Sequence, residues 1–304
     1  MRAIKFLILF LFINNNLHAD YLEVTLLGTG TPRPSIDRFG TATLVKAGGH
    51  NFLFDVGRGA TIRLQQAGLT PDQVEKVFLT HLHSDHISGL DDLWITGWVW
   101  QRKNLLTVSG PTGTHQMVDN LRKAYAADIS YREKNAKLKS ELAKINSAEI
   151  EEGIVFQQDG VTIRSFLVEH APVKPALGYR VEFGDRAVVI SGDTTYSENL
   201  IQNSQDVDLL VHEITATQPS LLKRNKLLAN IIAYHTTPEQ MSQVLNKTSP
   251  RLAVLSHVLL FGVPEDDVID EIKNNYSGDI VMGYDLMNIG IGNSIRINRI
   301  NTEQ

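Results

Sequence analysis

Residues 80–90 read THLHSDHISGL and place His81, His83, Asp85 and His86 within six consecutive positions. The chain has ten histidines in all, so three in one short stretch asks for a chemical cause. A packed core gains nothing from such a cluster, because each imidazole would need a hydrogen-bond partner once buried. The cluster directly follows the apolar run VFL at 77–79, so it sits where a short strand ends. His81 and His83 are two apart, whereas Asp85 and His86 are adjacent. On a strand turning into a helix, these two pairs point to different sides. One tetrahedral cation could not easily use all four, but two neighbouring cations could, each taking about three protein ligands. Cations about 3.5–4 Å apart can also clamp both sides of a displacement.

Two cations need more donors, and other strand ends offer them. Asp55 closes HNFLFD, His170 follows SFLVE, Asp193 sits in ISGDTT and His257 follows LAVLS. Taken singly, each has a plain structural use, such as an Asx turn at Asp193. Together they form a series in which an apolar strand stops and a metal-binding side chain begins. Loops at strand ends along one edge can bring such distant residues together.

The 304 residues are 42% hydrophobic and 21% charged, which suits a globular chain with a sizeable core. Residues 1–19 have the order of a secretory leader, with Arg2 and Lys5, an apolar run from Phe6 to Ile13, and Leu17-His18-Ala19 before Asp20. Eight apolar residues are too few to span about 30 Å of hydrocarbon, so cleavage before Asp20 and an exported, periplasmic or secreted product are expected. Loss of Arg2 and Lys5 takes the formal charge from −5 to −7, which argues against a large nucleic-acid surface. There is no cysteine, so stability rests on the core and any metal is held by nitrogen and oxygen alone.

Residues 20–304 read as one domain. Strands are expected in YLEVTLLG, TATLVKAG, HNFLF, LLTVSG, GVTIRSFLVE, LGYRVEFG, RAVVIS, DVDLLVHEI and RLAVLSHV. Helices are expected in ATIRLQQAGL, SGLDDLWITGWVW, from about His115 to Ala127, and in TPEQMSQVLNK, where Thr237-Pro238 is a start signal. The charged stretch 131–152 reads as a solvated helical face or connection. Sheets covered by helices are the class this order predicts.

HLHSDH resembles the HxHxDH motif of the metallo-β-lactamase superfamily. LLGTGTPRPSIDRFGT, FDVGRG, GPTGT, EHAPVKPALGYRV, SGDTT, VHEITAT, AYHTTPEQ and LSHV occur in the order seen in its ribonuclease Z and secreted arylsulfatase branch. The resemblance spans about residues 22–290 and implies an α/β fold, an αβ/βα four-layer sandwich of two mixed β-sheets flanked by helices. It also implies two Zn2+ ions, with Mn2+ or Fe compatible with the same donors. His81, His83 and His170 would hold the first ion, Asp85, His86 and His257 the second, and Asp193 would bridge them. Asp55 would orient a histidine ligand, as metal-bound imidazoles require.

Such a pair implies a hydrolase working through a water activated between the cations. Asp85 would help deprotonate that water, His235 of AYHTTPEQ would act near the leaving group, and Glu213 of VHEIT would hold the other ring nitrogen of His235. His50, His115 and His212 are expected to be structural, and Trp94, Trp98 and Trp100 to belong to the core.

Ribonuclease Z grips tRNA with an arm inserted between the GYR and SGDT motifs, and GYRVEFGDRAVVISGDT has room only for a hairpin. The expected substrate is therefore a small-molecule phosphodiester or aryl sulfate ester, with a lactone or amide as the alternative and tRNA 3′ processing less favoured. A non-catalytic binding protein would be expected to lack ligands, and all seven are present. Members of the branch are often dimeric, so a homodimer is an expectation from the resemblance alone.

Overall fold

The computed structural model describes residues 21–301, and the leader read at 1–19 lies outside the described residues. The chain first lays down β1 (Leu22–Gly28), β2 (Ala42–Ala47), β3 (His50–Phe54), β4 (Lys76–Phe78), β5 (Leu106–Gly110) and β6 (Ile145–Glu149). It then builds β7 (Gly153–Gln158), β8 (Val161–Leu167), β9 (Leu177–Phe183), β10 (Arg186–Ile190), β11 (Leu209–Thr217), β12 (Leu252–Phe261) and β13 (Ile280–Met282). It returns with β14 (Met287–Ile291) and β15 (Ile295–Arg299). One sheet runs β15-β14-β1-β2-β3-β4-β5-β6 and the other β13-β12-β11-β10-β9-β8-β7. Both are mixed: β3 to β6 and β10 to β13 run parallel, and the remaining pairs antiparallel.

Alternation along the strands sends side chains to two faces, and three apolar layers result. Leu22, Val24, Phe52 and Phe54 meet Val181, Leu209, Val211 and Val254 between the sheets. Leu53 and Val77 face outward onto α1 (Ala60–Gln66) and onto Trp94 and Trp98 of a helix at Leu90–Val99. Leu210, Ala253 and Leu255 cover the opposite outer face, against Met241, Val244 and Leu245 of the helix at Pro238–Thr248. Two sheets with helices on both outer sides make the four-layer αβ/βα sandwich.

The charged stretch departs from expectation. A helix covers Ala126–Ala136, but Ile145–Glu149 forms β6, the edge strand parallel to β5. Charge hid the signal because only Ala143 and Ile145 are buried there. The indoles of Trp94 and Trp98 donate to the carbonyls of Ala143 and Lys139 and draw the segment onto the domain. Trp94 and Trp98 are core residues, whereas Trp100 is about half exposed. The hairpin between β9 and β10 turns tightly, with Phe183 paired to Arg186 and no inserted arm.

Candidate metal centre

Parallel strands end on one edge of each sheet, and the two edges face each other at the site. β3 ends at Asp55, whose φ of 58° turns the chain sharply; aspartate is among the few residues that tolerate this region. β4 leads through Leu79 and Thr80 into His81, and one helical turn at Ser84–Ile87 presents Asp85 and His86. β8 leads to His170 and β10 to Asp193. His257 lies inside β12, where the pairing slips between Glu213–Ser256 and Ile214–Val258. This bulge puts His257 at a φ of 42° and re-aims its side chain into the centre.

The structure brings all seven expected ligands together. Donor atoms on one tetrahedral cation, each about 2.0–2.1 Å from it, lie about 3.4 Å apart. In the first set, His81 Nε2 is 2.9 Å from His83 Nδ1, and His83 Nδ1 is 3.4 Å from His170 Nε2. Asp193 Oδ2 lies 3.7 Å from His81 Nε2 and 3.8 Å from His170 Nε2. In the second set, Asp85 Oδ2 is 3.1 Å from His257 Nε2 and 3.7 Å from His86 Nε2. The same Asp193 Oδ2 stands 3.3 Å from His86 Nε2 and 3.5 Å from His257 Nε2. One oxygen thus belongs to both sets, which is the geometry of a bridge. His86 Nε2 is buried without a protein hydrogen bond, as a donor reserved for a cation should be. The donor set fits two cations.

The titratable groups of the centre shift in both directions. Burial, with neighbouring imidazoles adding to it, holds His81 well below the usual histidine range. Burial also lowers His83 and His170. Burial opposes charge on Asp193, yet the surrounding imidazoles of His257, His86 and His81 keep its carboxyl well below the usual range. Neutral imidazoles around an ionised carboxylate are the states that metals bind. His86 is the exception: burial opposes its charge, but the carboxylates of Asp193 and Asp55 raise its pKa well above the usual histidine range, so a cation entering the second set would displace a proton from it.

The rear nitrogens are also anchored. His86 Nδ1 donates to Asp55 Oδ2 at 2.8 Å, and His170 Nδ1 donates to the Tyr234 carbonyl at 3.0 Å. Asp55 also accepts from Thr80 N and Thr80 Oγ1, both at 2.8 Å. Thr80 Oγ1 in turn accepts from His81 Nδ1 at 3.0 Å. Asp55 therefore orients His86 directly and His81 through a hydroxyl. Thr80 escapes sequence reasoning because a threonine at a strand end looks like any strand residue.

His235 stands beside the cluster, its ring 5.6 Å from that of His257 and nearly parallel to it. It precedes the Pro238–Thr248 helix, where Thr237 and Gln240 close a reciprocal capping box. Its Nδ1 donates to Glu213 Oε1 at 3.0 Å, an oxygen that also accepts from Thr236 N and Thr194 N. Burial works against charge on His235, but the Glu213 carboxylate, helped by Asp193, raises its pKa to about 9. His50 and His115 bond to Asp159 and Ser147, away from the centre, and His212 is buried beneath it.

A pocket of about 210 Å³ opens onto the cluster between Pro32, Arg33, Ile231, Tyr234, Leu259 and Phe261. Tyr234 stands in AYHTTPEQ, whereas Ile231 comes from a segment the sequence reading passed over, which holds a short helix at Lys226–Ile232. Its signal was available in Asn225, whose side chain caps that helix by accepting from Leu228 N.

A family model described as Anti-Pycsar protein Apyc1 matches residues 22–244. A ribonuclease Z of Mycobacterium sp. (strain KMS) is 37% identical over 240 residues, covering 78% of this chain and 84% of the relative. The metallo-β-lactamase fold protein YhfI from Bacillus subtilis superposes with a TM-score of 0.70 at 19% identity, over 89% of this chain and all of that one (100%). The short form of human tRNase Z does so with a TM-score of 0.66 at 21% identity, over 88% of this chain and 98% of its own. The shared sandwich and the family match make this chain a metallo-β-lactamase fold hydrolase that belongs to the Apyc1 family, within the ribonuclease Z-like branch of that superfamily.

Proposed function

We propose that the protein is a binuclear zinc phosphodiesterase acting on small substrates such as short or single nucleotides. The observation that carries this reading is the position of His235. Together with Asp193 and His257 it offers donor atoms within 4.8 Å of one another, so a proton donor stands at the rim of the cation site. An alkoxide leaving from phosphorus needs that proton, whereas opening a strained lactam or lactone needs it less. When bound, the cation pair supplies an activated water and positive charge for the developing phosphoryl oxygens. Glu213 keeps His235 charged and aimed, and His235 gives its proton to the departing oxygen. Asp85, at the edge of the second donor set, accepts the proton of the attacking water. Pro32, Ile231, Tyr234, Leu259 and Phe261 exclude bulk water and offer apolar walls to a base or aryl group.

A substrate of modest size is favoured by the 210 Å³ pocket and by the tight β9–β10 hairpin, where the branch's tRNA arm would be inserted. The relatives' name, ribonuclease Z, supports phosphodiester chemistry over aryl sulfate hydrolysis. The leader read at 1–19 supports an activity outside the cytoplasm.

The test is a panel run with zinc- and manganese-loaded protein. It contains bis-(p-nitrophenyl) phosphate, a dinucleotide, a cyclic mononucleotide, p-nitrophenyl sulfate, an acyl-homoserine lactone and a precursor tRNA. Turnover of the diesters with little on the others is expected. Turnover of the lactone alone, or of precursor tRNA far ahead of the small diesters, overturns the proposal.

A further inference from the structure

Between the sheets, beneath the donor cluster, lies a second and smaller space. Its apolar floor is the inter-sheet core at Phe54, Ile190 and Val211, and its polar wall includes Glu213, Ser256 and His257 beside Asp55, His86 and Asp193 of the centre. The space gives a water molecule's centre about 20 Å³, more than the roughly 10–15 Å³ that one water needs and too little for a larger ligand. Besides His86 Nε2, which belongs to the second cation set, and Asp193 Oδ1, three polar atoms of this lining have no protein hydrogen bond: Glu213 Oε2, Ser256 Oγ and His257 Nδ1. Their residues are 2%, 4% and 4% exposed, so bulk solvent does not satisfy them. A buried carboxylate oxygen left without a donor is a costly arrangement, and native folds rarely keep one.

The three atoms have complementary roles. His257 turns Nε2 toward Asp85 and Asp193, so its rear nitrogen carries the proton and is a donor. Glu213 uses Oε1 for His235, Thr236 and Thr194, which leaves Oε2 as a pure acceptor. Ser256 lies directly across from Glu213 in the β11–β12 pairing, so its hydroxyl borders the same space. A donor, an acceptor and a hydroxyl around one water-sized space match the two to four hydrogen bonds typical of a buried water.

We propose that this cavity is a built site for one ordered water, which accepts from His257 Nδ1 and Ser256 Oγ and donates to Glu213 Oε2. Glu213 then positions two groups at once. One oxygen holds the leaving-group histidine, and the other, through the water, holds the imidazole of the second cation. His257 is a bulge residue that no direct protein hydrogen bond anchors from behind, in contrast to His81, His86 and His170. The water supplies the missing anchor. The inference rests on the two-cation reading for the proton position on His257, but not on any choice of substrate.

A high-resolution crystal structure of the zinc-loaded protein should show density within hydrogen-bonding distance of all three atoms. A dry cavity, or a collapsed one in which Glu213 bonds His257 directly, overturns the proposal. Ser256→Val replaces the hydroxyl with apolar bulk at the border of the space and removes one of the water's partners. Chelator competition should then show one of the two metal equivalents held about 10-fold more weakly, while Ser256→Ala, which leaves room for the water, should stay within about threefold of the parent by the same scale. Both equivalents held as tightly in Ser256→Val as in the parent also overturn it. If Ser256→Val gives no cooperative melt, the density in the parent decides alone. A parent that binds no metal defeats the two-cation reading, whereas a parent with two equivalents and a dry cavity defeats only this inference.

Discussion

Replacing Asp55 by asparagine or alanine separates metal orientation from folding. Asp55 is 4% exposed and accepts from Thr80 N, Thr80 Oγ1 and His86 Nδ1, each at 2.8 Å. Asparagine keeps the shape, one acceptor oxygen and tolerance of the left-handed backbone, but loses the charge that polarises His86. Loss of such an outer partner weakens metal binding about 10–100-fold, which is about 1.4–2.7 kcal/mol. Alanine loses every acceptor. It strands buried donors at about 1–3 kcal/mol each and pays about 1–2 kcal/mol for a φ of 58°. The fold itself should therefore weaken by several kcal/mol, a large part of the roughly 5–15 kcal/mol a domain possesses. Urea denaturation in chelator measures the fold, and competition with a metal-sensitive dye measures each equivalent. In Asp55→Asn the apoprotein should unfold near the parent while the second equivalent weakens most, since His86 is bonded directly and His81 only through Thr80. In Asp55→Ala both readouts should fall. An Asp55→Asn protein that holds both equivalents at parental affinity refutes the reasoning.

The raised pKa of His235 gives a pH signature. Its protonated form is present below about 9 and is lost as pH rises through that value, so kcat/KM on a diester should fall along an alkaline limb at or below about 9, the cations pulling it downward. Glu213→Gln removes the carboxylate charge and should move that limb to lower pH; a limb that stays in place removes His235 from the proton-donor role. Asp285 is a positioning residue of another kind. Its buried carboxylate accepts from Thr29 N, Thr29 Oγ1, Phe39 N and Arg63 Nε, closing the loop that carries Pro32 and Arg33 to the pocket. Asp285→Ala should cost about 2–4 kcal/mol in urea denaturation and raise KM more than it lowers kcat, and a variant with parental KM would detach the loop from substrate binding.

What the sequence disclosed about the site follows from how local each feature is. HLHSDH carries four ligands within one turn, so spacing alone announces it. His170, Asp193 and His257 were legible as interruptions of apolar strands, because a donor at a strand end has little other use in series. Features that need the third dimension stayed hidden. RLAVLSHV reads as a strand that stops at His257, but β12 runs on to Phe261, and only pairing with β11 shows that His257 occupies a bulge within it. Thr80 gains its meaning from Asp55, 25 positions away, and the segment leading into β6 is tied down by indoles from a distant helix.

The two sheets contribute unequal halves of one centre. The first supplies His81, His83, Asp85 and His86, and the second supplies His170, Asp193 and His257. Ligand spacing is therefore set by how the sheets are held at this edge, and side-chain packing alone tolerates small slips. Direct hydrogen bonds prevent them: Leu177 N donates to the Thr80 carbonyl at 2.9 Å, Tyr179 Oη to the Leu79 carbonyl at 2.6 Å, and Val258 N to the Thr29 carbonyl at 2.9 Å. Each joins one sheet to the other within two residues of a ligand, or of Thr29 at the base of the pocket loop. The donor atoms consequently stand at cation spacing by virtue of the fold, and cations entering the site need draw little of their binding energy into reorganisation.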